Sequence, residues 1–248
     1  MNHKVKVSAV SYLNTKPLLY GIERHPVRQH IALDLEYPAL IAKHLADGTT
    51  DLGLVSTAAL LSIPNPQIIS DYGIAASGKV ASVCIFSEVP LDRVEKIYLD
   101  YQSRTSVRLA AILLKKHWNL DIPLEDAPER YIDLIEGTTA GVIIGDRALQ
   151  SLDKFAYVYD LAEHWKTLTG LDFIFAAWIA NKALPEQFIQ DFNAANAMGL
   201  HHIDEVVAAH PYSFYDLNVY YRQNIHYKFD DSKREGLNLF LEYIRQLS

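Results

Sequence analysis

The sequence of 248 residues is poor in the features that mark exported and membrane-spanning proteins. It has a single cysteine, Cys84, which excludes an internal disulfide, and nothing indicates an oxidising compartment. The first residues enter a β-type pattern directly, without the apolar segment of a signal peptide. No window is apolar for long enough to span a bilayer. We therefore expect a complete cytoplasmic chain that does not enter the membrane.

Positive charge is also scarce, because 23 Lys and Arg residues stand against 30 Asp and Glu residues, for a net charge of −7. With no basic run, the composition argues against nucleic-acid binding. The histidines form no metal pattern, since HExxH and CxxC are absent and His201-His202 lack a third ligand at helical spacing. Walker, Rossmann and GxSxG motifs are missing as well. We expect no metal and no cofactor.

What the chain does contain is an alternation of strand-like and helix-like segments. The strongest strand patterns are Val5–Val10, Ile31–Tyr37, Leu52–Val55, Val80–Phe86, Lys96–Asp100, Ala140–Ile144 and Phe173–Ile179. The strongest helix patterns are Pro17–Glu23, Pro38–Asp47, Ser106–His117, Pro185–Ala209 and Asp231–Leu247. Such βαβ alternation predicts mainly parallel sheets with helices on both faces.

Two such blocks, followed by a strand-like return, predict an α/β protein with two lobes. The first lobe comprises residues 1–87 and 180–248 and the second 90–174, with crossings near 88–90 and 175–180. This arrangement resembles the type II periplasmic-binding-protein-like fold. Ligands of open α/β sheets bind outside the carboxyl ends of the strands, so we expect a ligand cleft between the lobes.

Four predicted strand-to-helix turns carry small polar residues. They are Ser11–Thr15, Ser56-Thr57, Ser103–Ser106 and Gly145-Asp146. Free backbone N–H groups and the positive dipole end make a helix N-terminus suitable for a carboxylate or phosphate. Because Ser and Thr are also the usual helix caps, a structural role stays open for each turn. In the segment from Gly73 to Val83, Ser82 either faces a ligand from a strand or belongs to an ordinary strand.

Several of these segments together resemble a known family, the chorismate dehydratases of the futalosine route to menaquinone. They are Val10–Leu18, Asp51–Ser56, Gly73–Ala76 with Gly78, Val80, Ser82 and Val83, Leu99-Asp100, Ser103–Ser106, Gly145-Asp146, and Asp160-Leu161 with Trp165, Thr169–Leu171 and Phe173. The resemblance covers nearly the whole chain. It implies a hydro-lyase that converts chorismate to 3-[(1-carboxyvinyl)oxy]benzoate without redox cofactor or metal.

Three alternatives stay open beside the dehydratase. The sister dihydroxynaphthoate synthase shares the fold, but it is expected to open with a different motif and to use a histidine in the second lobe. Here the first motif is Ser11–Asn14, and no histidine flanks Gly145-Asp146. A non-catalytic small-anion binding protein would need an export signal, and a ligand-sensing regulator would need a DNA-binding helix pair. The sequence does not predict the oligomeric state.

The resemblance also assigns the expected site. The catalytic residues are Asn14 and Ser82, and the substrate-binding residues are Ser11, Tyr12, Ser56, Ser103, Arg104, Thr105, Ser106, Gly145 and Asp146. Neither the Asn14 turn nor the Ser82 segment holds an Asp, Glu or His to remove a proton. We therefore expect the enolpyruvyl carboxylate of chorismate to serve as the base, with Asp146 as the next candidate.

Overall fold

The structure is a computed structural model that describes residues 4–247. These residues form two compact units, 4–75 with 174–230 and 76–173 with 231–247. The strands are β1 (Val5–Ala9), β2 (Ile31–Leu35), β3 (Leu52–Ser56), β4 (Gln67–Ala76), β5 (Val83–Ser87), β6 (Lys96–Leu99), β7 (Leu124–Asp126), β8 (Thr139–Ile144), β9 (Tyr157–Asp160) and β10 (Phe173–Ala180). The α-helices are α1 (Lys16–Arg24), α2 (Pro38–Asp47), α3 (Arg104–Leu113), α4 (Asp146–Leu149), α5 (Leu161–Thr169), α6 (Glu186–His201), α7 (Ile203–Ala209), α8 (Leu217–Val219) and α9 (Asp231–Leu247).

Each unit is built on a five-stranded sheet, in the order β2-β1-β3-β10-β4 in the first unit and β7-β6-β8-β5-β9 in the second. In the first sheet β1 runs parallel to β2 and β3, whereas β10 is antiparallel to β3. In the second sheet β6 runs parallel to β7 and β8, whereas β5 is antiparallel to β8 and β9. The α/β fold class is thus confirmed, with sheets that are mixed.

The antiparallel strands correct the prediction of mainly parallel sheets. Both β5 and β10 enter their sheet from the other unit. Parallel pairing needs a crossover that returns the chain to the same end of the same sheet, usually through a helix. Because β5 and β10 arrive without such a crossover, nothing requires them to run parallel to their neighbours.

The unit boundaries also differ from those predicted. Residues 76–87 and the last helix, α9, belong to the second unit and not to the first. The reason for the first difference is the pairing of β5 with β8 and β9. The reason for the second is an aromatic cluster in which Phe240 of α9 lies 6.2 Å from Trp165 and 4.9 Å from Phe173, measured between ring centroids. These three side chains are almost fully buried.

Helices α1 and α6 contact each other through glycine. A Cβ atom on Gly21 would lie 1.9 Å from the carbonyl oxygen of Ala195, so the two backbones touch. The single helix predicted over 185–209 is divided at His202, whose ring Nδ1 donates to the Met198 carbonyl at 2.8 Å. A side chain that takes an i−4 carbonyl competes with the helical backbone bond, which accounts for the break. Among the described residues, no helix combines the length and hydropathy needed to cross a membrane.

Candidate active site

In the first unit, two predicted site segments lie at one edge of the sheet. Because β1 and β3 run parallel, the residues that follow them leave the sheet on the same side. Ser11–Asn14 follow β1, and Ser56 ends β3. A capping role for Ser56, one of the structural roles left open by the sequence, is not observed, since its side chain makes no capping bond. The buried Thr57 fixes this turn instead, because its Oγ1 donates to the Ile174 carbonyl at 2.8 Å.

The turn after β1 is held by its own side chains. Thr15 Oγ1 lies 2.8 Å from the Val10 carbonyl oxygen and 2.7 Å from that of Tyr12. The N–H of Thr15 donates to the same Tyr12 carbonyl at 3.1 Å. Lys16 Nζ donates to Ser11 Oγ at 2.8 Å. The turn therefore has a fixed backbone and carries a positive charge beside the Ser11 hydroxyl.

Asn14 differs from its neighbours in this turn. Its amide oxygen Oδ1 is buried and has no hydrogen-bond partner among residues 4–247. A buried acceptor without a partner costs about 1–3 kcal/mol, and such groups in native proteins call for an explanation. A ligand that donates a hydrogen bond to Oδ1 would remove this cost. The sequence predicts Asn14 as a site residue, and the structure adds that its amide oxygen is unsatisfied among the described residues.

A cavity of about 530 Å³ opens at the same edge of the first unit. It is lined by Val10, Ser11, Tyr12, Leu35, Glu36, Tyr37, Pro38 and Leu40. Its volume lies in the range typical of small-molecule sites. Tyr37 is 73% exposed, and the Glu36 carboxylate is held 3.1 Å from the ring of His44. Ser11 and Tyr12 are predicted site residues, whereas the wall from Leu35 to Leu40 is not predicted. Its exposed apolar side chains are Leu35, Tyr37 and Leu40.

In the second unit, the other predicted segments also share one sheet edge. Since β6 and β8 are parallel, Ser103–Ser106 and Gly145-Asp146 follow the carboxyl ends of neighbouring strands. The antiparallel strand β5 begins at this edge, opposite Ile144. The Gly145 N–H donates to the carbonyl of Ser82 at 2.7 Å. Ser82, the Gly145 turn and the start of α3 therefore belong to one edge.

Ser82 does not lie on a strand, which corrects the prediction. The strand expected from Val80 begins at Val83, and Ser82 is buried in the preceding bend. The backbone N–H groups of Val80 and Ala81 donate to Oδ2 of Asp160 at 2.9 and 2.6 Å. Because the carboxylate occupies these donors, they are not available to a neighbouring strand. Ala81 has a φ of +63°, a left-handed conformation that the same bonds hold in place.

Asp160 thus supports the bend that carries Ser82. Its second oxygen, Oδ1, accepts the N–H groups of Ala162 and Glu163 at 3.1 Å each and so caps α5. Burial raises the pKa of Asp160 to about 6, although the backbone N–H groups around it favour the charged form. At neutral pH the carboxylate is ionised and is bonded to donors at both oxygens.

At the start of α3, two hydroxyls hydrogen-bond to each other. Ser103 Oγ accepts the Ser106 N–H at 3.1 Å and lies 2.9 Å from Ser106 Oγ. Thr105 is buried, and Arg104 is exposed. The Ser103 hydroxyl is therefore a helix cap, and the anion-binding capacity of this turn rests on its backbone N–H groups. The role of these residues toward substrate stays a prediction.

The turn after β8 requires glycine. Gly145 has φ 64° and ψ −144°, a region that is open almost only to glycine. It permits the sharp passage from β8 into α4, where Asp146 is the first residue. This turn supplies the N–H that bonds Ser82. Its glycine is thus needed for backbone geometry.

A cluster centred on Asp100 lies at this edge, and no sequence pattern predicts it. One oxygen of the buried Asp100 carboxylate, Oδ2, lies 2.7 Å from Arg147 Nη2 and 2.7 Å from the Tyr131 hydroxyl. The other oxygen accepts the Gln102 N–H at 2.7 Å. Burial lowers the pKa of Arg147, but the Asp100 carboxylate together with Tyr131 and Tyr101 holds this pKa above its ordinary value. A charged guanidinium is therefore fixed beside the start of α3.

Two five-stranded mixed sheets of this order define a class of protein, that of the periplasmic-binding-protein-like folds. A Candida albicans protein described as having the generic periplasmic binding protein structural fold aligns with a TM-score of 0.62 at 11% identity, over 99% of this chain and 91% of its own. At that identity the likeness concerns the fold alone.

The family follows from the sequence. A protein-family profile described as menaquinone biosynthesis matches residues 5–246, and the chain belongs to this family. It is 27% identical to a chorismate dehydratase of Thermus thermophilus, over 93% of this chain and 92% of the relative. It is 24% identical to a chorismate dehydratase of Campylobacter jejuni, over 96% of this chain and 97% of the relative. The family resemblance predicted from the motifs is confirmed.

Proposed function

We propose that the chain is a chorismate dehydratase, a hydro-lyase that converts chorismate to 3-[(1-carboxyvinyl)oxy]benzoate in menaquinone biosynthesis through futalosine. Similarity to two chorismate dehydratases over more than nine-tenths of each chain supports this, as does membership of the menaquinone biosynthesis family. The structural observation that carries the proposal is the buried, unbonded amide oxygen of Asn14. The proposal includes a cytoplasmic location, which fractionation of the producing cells tests.

The proposed reaction uses the substrate as its own base. The enolpyruvyl carboxylate accepts the ring proton, and the electron pair of the C–H bond delocalises toward the ring carboxylate. The bond between the ring and its hydroxyl then breaks, the hydroxyl takes up the proton held by the enolpyruvyl carboxyl group and leaves as water, and the ring becomes aromatic. An amide and an un-ionised serine hydroxyl are both too weak as bases for this step, so neither Asn14 nor Ser82 removes the proton.

The protein then contributes positioning and charge stabilisation. Asn14 orients the leaving hydroxyl, which can donate to Oδ1, or the enolpyruvyl carboxylate, which can accept from the amide NH₂ group, and Ser82 holds the substrate. The proposed binding residues are Ser11, Tyr12, Ser56, Ser103, Arg104, Thr105, Ser106, Gly145 and Asp146. Backbone N–H groups at helix N-termini and the Lys16 charge beside Ser11 suit the two carboxylates of chorismate.

Replacement of Asn14 tests the proposal directly. Loss of one positioning hydrogen bond lowers turnover by about 10²–10³, so we expect Asn14→Ala to lose this much kcat while chorismate still binds. Loss of the diene absorbance and chromatography of the product measure turnover, and calorimetry measures binding. The exposed Asn218 of the same unit gives the control, Asn218→Ala.

Two results would contradict the proposal. A wild-type protein that binds chorismate without consuming it would be a binding protein. If Asn14→Ala and Ser82→Ala both kept wild-type turnover, the group that removes the proton would lie elsewhere, and Asp146 would be tested next.

A further inference from the structure

Arg147 lies at the edge of the second sheet, and the proposed chemistry gives it no part. It lies on the first turn of α4, and its side chain is 27% exposed, whereas the Asp100 side chain that it contacts is fully buried. We propose that Arg147 binds one carboxylate of the dicarboxylate substrate. This inference rests on the proposed function for the identity of the ligand.

The Arg147 guanidinium has more N–H donors than its observed contacts use. It contacts Asp100 Oδ2 through Nη2 at 2.7 Å and the Tyr101 hydroxyl through Nη1 at 3.5 Å, beyond the usual hydrogen-bond distance. Among residues 4–247 it has no further hydrogen-bond acceptor. An Arg guanidinium carries more N–H donors than these contacts use, arranged in a planar fork that matches a carboxylate.

The Arg147 guanidinium is held in one orientation by its neighbours. Asp100 is itself fixed by the Gln102 N–H and the Tyr131 hydroxyl, so it holds the guanidinium in one place. The Tyr101 ring lies 5.3 Å from the guanidinium carbon and is 63% exposed. A carboxylate that pairs with a preorganised arginine loses less conformational entropy than one that pairs with a mobile side chain.

The Arg147 guanidinium lies beside the loop that leads into α3. The Gln102 N–H that bonds Asp100 lies immediately before Ser103, the cap of α3. The guanidinium is therefore anchored to the loop that leads into the predicted anion turn. Gly145-Asp146, directly before Arg147 in sequence, follows the neighbouring strand. A fixed cation beside a helix N-terminus is an arrangement that suits a carboxylate.

A salt bridge with a purely structural role is the competing interpretation, and Arg147→Lys separates the two. Lysine keeps the positive charge toward Asp100 but lacks the planar fork, so the fold is retained and bidentate binding is lost. We expect about a 10-fold or greater loss of affinity for the dicarboxylate product, 3-[(1-carboxyvinyl)oxy]benzoate, measured by calorimetry. In turnover assays KM rises while kcat is largely kept, which is the pattern of lost ground-state binding.

A second variant and a control complete the design. Tyr101→Ala removes the exposed ring beside the guanidinium without touching the buried Asp100, and we expect a smaller loss in the same direction. Arg108→Lys, at an exposed position of α3, is the matched control and leaves the affinity for the dicarboxylate unchanged.

The monocarboxylate 3-hydroxybenzoate serves as a second ligand. If Arg147→Lys also lowers the affinity for 3-hydroxybenzoate, Arg147 binds the ring carboxylate. If the affinity for 3-hydroxybenzoate is unchanged, Arg147 binds the enolpyruvyl carboxylate. Both results support the inference.

The failure of this inference differs from the failure of the proposed function. If Arg147→Lys lowers thermal stability but the folded variant binds the dicarboxylate like the wild type, Arg147 is structural and the inference is overturned. If the wild type binds the dicarboxylate through Arg147 yet does not consume chorismate, the proposed function fails and the inference stands. A wild type that does not bind the dicarboxylate at all overturns the inference.

Discussion

Asp160→Asn tests whether one buried carboxylate holds the bend that carries Ser82. Four backbone N–H groups donate to the Asp160 oxygens, two to each. Asparagine keeps one oxygen and turns an NH₂ group toward the other pair, so two donors lose their acceptor. Since a hydrogen bond to a charged group contributes about 1.5–3 kcal/mol, the two lost bonds set an upper limit of about 3–6 kcal/mol on the loss in unfolding free energy. Removal of the buried charge, whose burial raises the pKa of Asp160, offsets part of this loss.

This upper limit is large beside the whole stability of an ordinary protein, which is about 5–15 kcal/mol. For a chain of this size it corresponds to a fall in Tm of about 6–24 °C. Thermal denaturation at neutral pH measures the shift, and the exposed Asp153→Asn in the same unit is the control. Below its Tm the variant should also turn over chorismate more slowly, because the Ser82 bend is released. An unchanged Tm would refute the reasoning about the bend.

Two further predictions concern stability. Asp172 pairs with Lys166 at 2.7 Å and with the buried Lys233 at 3.4 Å, so Asp172→Asn should cost about 3–5 kcal/mol at neutral pH in urea unfolding. Burial raises the pKa of Asp172, but the lysines and a serine hydroxyl hold it below 3.8, so this stabilisation is present at higher pH and is lost as the pH falls below 3.8. A variant with the same acid sensitivity as the wild type would contradict this. Gly21→Ala should lower the unfolding free energy by about 1–3 kcal/mol, despite the better helix propensity of alanine, because its Cβ would meet the Ala195 carbonyl. An unchanged thermal transition would contradict that contact.

The sequence predicts those parts of the fold that depend on local patterns. The helices over Pro38–Asp47 and Asp231–Leu247 occur with the predicted bounds. The first begins with a proline and ends at Gly48 in a left-handed conformation, both of which are signals that can be read within a few residues. The direction of β5 and β10 and the unit to which α9 belongs depend on pairing with distant residues. No local pattern specifies these features.

Some residues of the candidate site can be predicted from local sequence patterns, and others cannot. Ser11, Asn14 and Ser103 stand out because small polar residues between a strand and a helix are a local signal. Arg147 does not stand out, because its importance depends on Asp100, which lies 47 positions earlier in the chain.

The bend at Ser82 also depends on a residue that is distant in sequence. The apolar run over Val80–Phe86 predicts a strand, and the strand is shorter than predicted because the Val80 N–H donates to Asp160, 80 positions away in the sequence. A buried carboxylate that accepts backbone donors can overrule a local β preference, since each bond to a charged acceptor contributes about 1.5–3 kcal/mol, whereas β propensities span about 1 kcal/mol. Local departures of this kind are therefore expected where charged side chains are buried, and the Asp100 and Asp160 clusters both lie where β5, β6 and β8 meet the predicted site.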